Sequence, residues 1–167
     1  FMAHHNLVLK SGQVVVHTTK GLEIQSVNIG VQNGKIAELS PGSLSGDEVI
    51  DCKNLIVFPG VIDSQVHCRE PGMTHKEDLE SASRAAALGG VTSMFEMPNT
   101  IPSTTTLELL EDKLQRARGR CFINFAFFVG GSAENVAELA KLEKHQHCPG
   151  IKIFMGSSTG TLLVDDE

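Results

Sequence analysis

After residue 55 the chain repeats one pattern: a near-continuous apolar run, a loop rich in Gly, Pro or Asn, then a helical segment. The runs are Leu55–Phe58 with Val61–Asp63 (interrupted by Pro59-Gly60), Val91–Met97, Ile123–Val129 and Gly150–Met155. Strands apolar on both faces that alternate with helices pack as a parallel sheet with right-handed crossovers. Two α/β architectures satisfy this, a doubly wound sheet and a (β/α)8 barrel.

The helices carry their own start signals. Thr74 and Glu77 have capping-box spacing ahead of an apolar face of Leu79, Ala82 and Ala86, which stops at Gly89-Gly90. Thr105 and Glu108 repeat the spacing ahead of Leu107, Leu110 and Leu114, and Ser132 can cap a third helix with Val136, Leu139 and Ala140 inward.

Residues 1–55 have a different texture. Short β-prone runs occur at Leu7–Leu9, Val14–His17, Ser26–Val31 and Lys35–Leu39, while Phe1–His5 adds no signal. Asn33-Gly34 between two such runs predicts a hairpin, because both central residues of a type I′ turn need positive φ. The chain therefore divides into a β module over 1–55 and alternating β and α units over 56–167.

Composition excludes several classes. With 41% hydrophobic and 20% charged residues the 167-residue chain is globular rather than disordered. No apolar run approaches the ~18–20 residues that span a bilayer, and no export signal opens the sequence. A net charge of −6 with scattered Lys and Arg argues against nucleic acid. Cys52, Cys68, Cys121 and Cys148 form no C-x-x-C pair and read as reduced cytoplasmic thiols.

Functional side chains of parallel α/β folds sit at the carboxyl ends of strands. If the first strand continues to Arg69, period two places Asp63, Gln65, His67 and Arg69 on one face, able to hold a metal and an anionic substrate. The same spacing also describes a solvated strand end. Asn99, in Met97-Pro98-Asn99-Thr100, reads as a turn residue or a hydrogen-bonding partner for a substrate. Lys152 interrupts an apolar strand, so its amine must be paired, deprotonated, carbamylated or snorkelled to solvent. His145 and His147 imitate a metal pair, but the C-terminal end of a helix is sufficient reason for imidazoles there. Cys68 alternates away from the His67 face and suits a small buried role. Gly156–Gly160 is only loosely like a phosphate loop.

Together, Pro59–Asp63, His67–Gly72, Lys76-Glu77-Asp78, Ala85–Thr92 and Met97–Thr100 resemble the dihydroorotase branch of the cyclic amidohydrolases. The resemblance implies the first four or so βα units of an amidohydrolase barrel, with an N-terminal portion of a β-sandwich. It implies reversible closure of N-carbamoyl-L-aspartate to dihydroorotate, with one or two Zn2+ ions as cofactor. His67 and a carbamylated Lys152 match metal ligands, and Arg69 and Asn99 match residues that hold the substrate carboxylate. Allantoinases and hydantoinases or dihydropyrimidinases resemble the stretch as well, and Arg69 favours dihydroorotase among them.

Gln65 stands where the family has its first strand-one histidine, and an amide is a poorer zinc ligand than imidazole. One metal, relocated ligands or a non-catalytic relative that scaffolds aspartate carbamoyltransferase all follow from that departure. Asp63 is a further candidate on the same face. A whole barrel takes ~250 residues, so the chain is expected to be part of a longer one, with the general-base Asp beyond residue 167. The expected partners are a small-molecule substrate, the remainder of the chain and a second copy in a homodimer.

Overall fold

The structure, a computed structural model, describes residues 3–156 and 162–164. The chain divides into two compact units, Phe1–Pro59 and Gly60–Glu167.

In the first unit β1 (His4–Thr18), β2 (Gly21–Gln32), β3 (Lys35–Ser40), β4 (Ser45–Asp51) and β5 (Ile56–Val57) make one five-stranded sheet. β1 is its spine. β2 runs antiparallel along one edge, while β4 and β5 lie parallel on the other, against His4–Lys10 and Gln13–Val14. The runs Leu7–Leu9 and Val14–His17 thus belong to one strand, whose register shifts where Ser11 takes φ 63°. The Ser11 N–H leaves the ladder and donates to Asn28 Oδ1 at 2.8 Å, which is how a bulge keeps its backbone satisfied. Asn33 and Gly34 have φ 52° and 72° and join β2 to β3 in the expected hairpin.

Two features here carried no signal in the sequence, and one strand boundary differs from expectation. His5 is a buried β1 residue whose Nε2 lies 3.3 Å from Glu38 Oε2. β4 was unsignalled because it is mostly exposed and is held by backbone pairing rather than an apolar pattern. Leu55–Phe58 does not continue into Val61–Asp63: β5 joins the first sheet, and Pro59-Gly60 separates it from the next strand.

The second unit contains β6 (Val61–Val66), α1 (Leu79–Leu88), β7 (Val91–Glu96), α2 (Leu107–Ala117), β8 (Asn124–Phe127), β9 (Val129–Gly130), α3 (Val136–Leu142) and β10 (Ile151–Lys152). β6, β7 and β8 form a parallel sheet in that order, and β9 pairs parallel with β10. The parallel β–α alternation read from the sequence is present. β6 is an edge strand of its sheet, and its Val61 and Ile62 are exposed rather than buried.

The core is built where the helices cover this sheet. Leu79 and Ala82 of α1 and Leu110, Leu114 and Ala117 of α2 pack with Cys68, Met94, Phe127 and Val129. The caps sit later than the spacing suggested. Asp78, not Thr74, caps α1: its Oδ1 accepts from Ser81 N at 2.7 Å, and Ser81 Oγ accepts from Asp78 N. Thr106, not Thr105, caps α2 through Leu109 N, leaving Leu107 exposed. α3 follows Asn135, whose Oδ1 accepts from Ser132 N, so Ser132 does not cap the helix. This helix of 7 residues docks by Leu139 and Leu142, and Val136 and Ala140 face solvent.

Among the described residues no helix is long and apolar enough to cross a membrane. All four cysteines are free thiols.

Leu110 is fully buried in the α2–sheet contact. Leu110→Ala is expected to lower the unfolding free energy by about 2–5 kcal/mol, the cost of lost transfer energy plus a cavity, measured by urea denaturation.

Candidate functional site

The ends of β6 and β7 are tied together by Met97 N donating to Val66 O at 2.8 Å. The chain leaves both strands at this level, and the two exits bring His67 and Asn99 into contact. His67 Nδ1 lies 2.9 Å from Asn99 Oδ1. An amide oxygen only accepts, so this contact places the ring proton on Nδ1 and leaves the Nε2 lone pair without a partner among the described residues. Burial pulls the His67 imidazole below its usual pKa, and the Arg69 charge adds to this. Lys152 and Lys113 contribute less, and the Asn99 hydrogen bond opposes them. His67 is therefore a neutral, oriented imidazole, able to bind a cation or accept a proton through Nε2.

Arg69 is placed differently from its sequence expectation. β6 ends at Val66 and Arg69 takes φ 63°, so strand alternation does not reach it. Arg69 instead lies in a turn closed by Met73 N donating to Arg69 O at 3.0 Å. It remains close enough to act on His67 electrostatically. Asp63 and Gln65 stay on β6, both exposed, and Asp63 Oδ1 accepts the Gln65 backbone N–H at 3.1 Å.

Lys152 is half-buried on β10, not sunk in an apolar strand; the strand is only two residues long, and Nζ lies 5.1 Å from the Phe154 ring centroid. His145 Nε2 donates to Glu111 Oε1 at 3.0 Å beyond the end of α3, apart from this cluster. Cys68 is fully buried against Met94, and burial pushes its thiol far above the usual range, so it is no nucleophile. Of the loop Gly156–Gly160, only Gly156 lies within the described residues.

Two buried acids were not singled out from the sequence. Glu70 is held by Arg120, with Nη1 to Oε1 at 2.7 Å and Nη2 to Oε2 at 3.1 Å, and accepts the Leu79 N–H at 3.0 Å. It thereby fixes the turn containing Arg69 to the start of α1. Glu96, the last residue of β7, pairs with Lys113 of α2, and both side chains are 1% exposed. Burial pushes the Glu96 carboxyl up to about 7 against the pull of the Lys113 ammonium. The available signal was a charge at an apolar position. Lys113 falls on the Leu110, Leu114, Ala117 face of α2, and Glu96 ends an apolar strand.

A second contact locks the two exits. Gly72 has φ 90°, and a Cβ there would run into the Ile101 carbonyl, while Ile101 N donates to Pro71 O at 3.1 Å. Among the described residues no three His, Cys, Asp or Glu side chains gather in the manner of a metal site.

Residues 54–148 match the model of a family described as dihydro-orotase-like. The match spans His67, Arg69 and Asn99. The chain is 38% identical over 163 residues to allantoinases of Salmonella choleraesuis (strain SC-B67) and Salmonella paratyphi B, covering 97% of this chain and 35% of each relative. Its fold is similar to that of the L-hydantoinase (dihydropyrimidinase) of Arthrobacter aurescens, with TM-score 0.84 and 29% identity over 96% of this chain and 35% of that one. The chain thus spans about a third of the length of these relatives.

Glu70 allows a signed pH prediction. Burial raises its pKa, but the hydrogen bonds from Arg120 and Leu79 outweigh burial and hold it below the ordinary 4.5. A lowered folded-state value stabilises above the unfolded pKa and is lost as pH falls through the folded one. Glu70→Gln should cost about 1 kcal/mol at pH 7, the excess of a charged over a neutral hydrogen bond. The difference should vanish on acidification below pH 4.5, read from denaturant midpoints across the range.

Proposed function

The chain belongs to the dihydro-orotase-like family, and from that premise we propose that the protein containing it opens or closes a cyclic amide ring, with allantoin as its first substrate candidate. The observation that carries the substrate is 38% identity to allantoinases along nearly the whole chain. In this proposal the second unit is the opening part of an amidohydrolase barrel, the first is part of a β-sandwich, and the strand exits of β6 and β7 form one side of the active site.

His67 fits a metal ligand, because its Nδ1–H is engaged by Asn99 and its Nε2 meets no partner among the described residues, the arrangement that orients a ligating imidazole. Lys152, as a carbamate, is the second ligand proposed. Gln65 and Asp63 are weaker donors in exposed positions, and the remaining ligands and the general base would come from outside the described residues. When bound, a Zn2+ ion supplies polarisation of the scissile carbonyl and acidifies the attacking water. This chain's part is positional. Asn99 holds His67 in one tautomer, and Arg69 offers a planar cationic fork to a carboxylate on the substrate or product. The half-buried setting strengthens both contacts.

Arg69 also favours a second reading. Dihydroorotate carries a carboxylate in the ring form, whereas allantoin gains one only on opening, so a permanent guanidinium suits a dihydroorotase.

The test is turnover by the zinc-replete full-length protein of allantoin, hydantoin, dihydrouracil and dihydroorotate. Allantoin turnover alone supports the first reading, and dihydroorotate turnover alone the second. Turnover of none overturns both and leaves the scaffold alternative, to be checked by co-purification with aspartate carbamoyltransferase. His67→Ala should lose bound zinc and activity together. Arg69→Lys should raise KM for dihydroorotate about tenfold, since the charge stays while the fork is lost.

A further inference from the structure

The Glu96–Lys113 pair adjoins the exit of β7 and is not explained by packing. A buried ion pair contributes little stability relative to well-packed apolar residues, and the face that carries Lys113 is otherwise apolar: Leu110, Leu114 and Ala117. A Leu or Met would serve the core there. The ammonium does what neither can, because Nζ also donates to the Met97 carbonyl oxygen at 3.3 Å. Met97 lies two residues before Asn99 and is the residue whose N–H ties β7 to β6 at Val66. The Phe127 ring also lies against the ammonium, its centroid 4.9 Å from Nζ. Downstream, Thr100 N and Thr104 N both donate to Pro98 O at 2.9 Å, so the segment after Met97 is wound tightly around a fixed start.

We infer that Lys113 is a positioning residue for the site: with Glu96 as counter-ion, it clamps the Met97 carbonyl and so fixes the exit from which Asn99 orients His67. Glu96 holds the ammonium at the end of β7, Lys113 holds the backbone, and Asn99 transmits the placement to the imidazole. This inference rests on the proposed function for its consequence in turnover, but not for its consequence in the imidazole.

The test compares the full-length wild type with the double variant Glu96→Gln/Lys113→Met, which removes both charges and keeps side-chain volume. Asn99→Ala serves as the reference for a lost orienting bond. The primary readout is the His67 tautomer, from imidazole 15N shifts in the metal-free protein at alkaline pH. Wild-type His67 should carry its proton on Nδ1. The double variant should shift toward the mixed tautomers of Asn99→Ala while keeping a cooperative thermal transition, and kcat/KM should fall roughly tenfold or more. A folded double variant with wild-type 15N shifts and kinetics overturns the inference and leaves the pair a core element only. If the double variant does not fold, Lys113→Arg retains the charge beside Glu96 but replaces the compact ammonium on Met97. The same tautomer shift is then expected, and its absence overturns the inference. A wild type inert toward every ring substrate overturns the proposed function alone, since the tautomer comparison needs no turnover.

Discussion

A carboxylate and an ammonium, both removed from solvent, sit at the point where β7 stops being a strand. Each would be costly to bury alone, and together they are held only if the backbone around them stays in place. The organisation of the second unit depends on that condition. α2 cannot slide along the sheet without uncovering Glu96, and the exit of β7 cannot move without releasing Lys113 from Met97. The apolar contacts of Leu110 and Leu114 supply cohesion but no such register, because hydrophobic burial is not directional.

A second charged contact does the same work on the neighbouring exit. Arg120 at the end of α2 grips Glu70, and Glu70 in turn accepts from the first turn of α1. One helix therefore positions both exits, through a side chain near its middle and another just past its end. The consequence for the site is a His67–Asn99 contact set by two charged anchors, one dry and one partly solvated.

The residues allowed a sound reading of the parallel β–α alternation, the Asn33-Gly34 hairpin and the buried, inert Cys68, because each follows from local periodicity or a local φ requirement. His67 and Asn99 were singled out separately, one as a candidate ligand and one as a turn or binding residue. Their contact, between residues 32 apart in sequence, became visible only in three dimensions. Arg69 was assigned to a strand face by extending period two past the point where the backbone turns into positive φ. Glu96 and Lys113 escaped notice for a common reason. A charge in an apolar pattern shows that a partner is needed, but its partner is chosen by tertiary packing. The helix starts were displaced because Thr105 and Thr106 are equally good caps by residue type, and only the path of the preceding loop selects one. The family resemblance was right at the level of cyclic amidohydrolases, while its narrowing to dihydroorotase leaned on Arg69 alone.

The contact of Gly72 with Ile101 has an implication for engineering. Because the first loop gives up its side chain so that the second can lie against its backbone, the two loops form a matched pair rather than independent modules. Grafting either one from a relative would bring together surfaces selected apart from each other. A specificity exchange should therefore transplant both loops at once, and libraries that randomise one of them should hold the other's Ile101 or Gly72 constant.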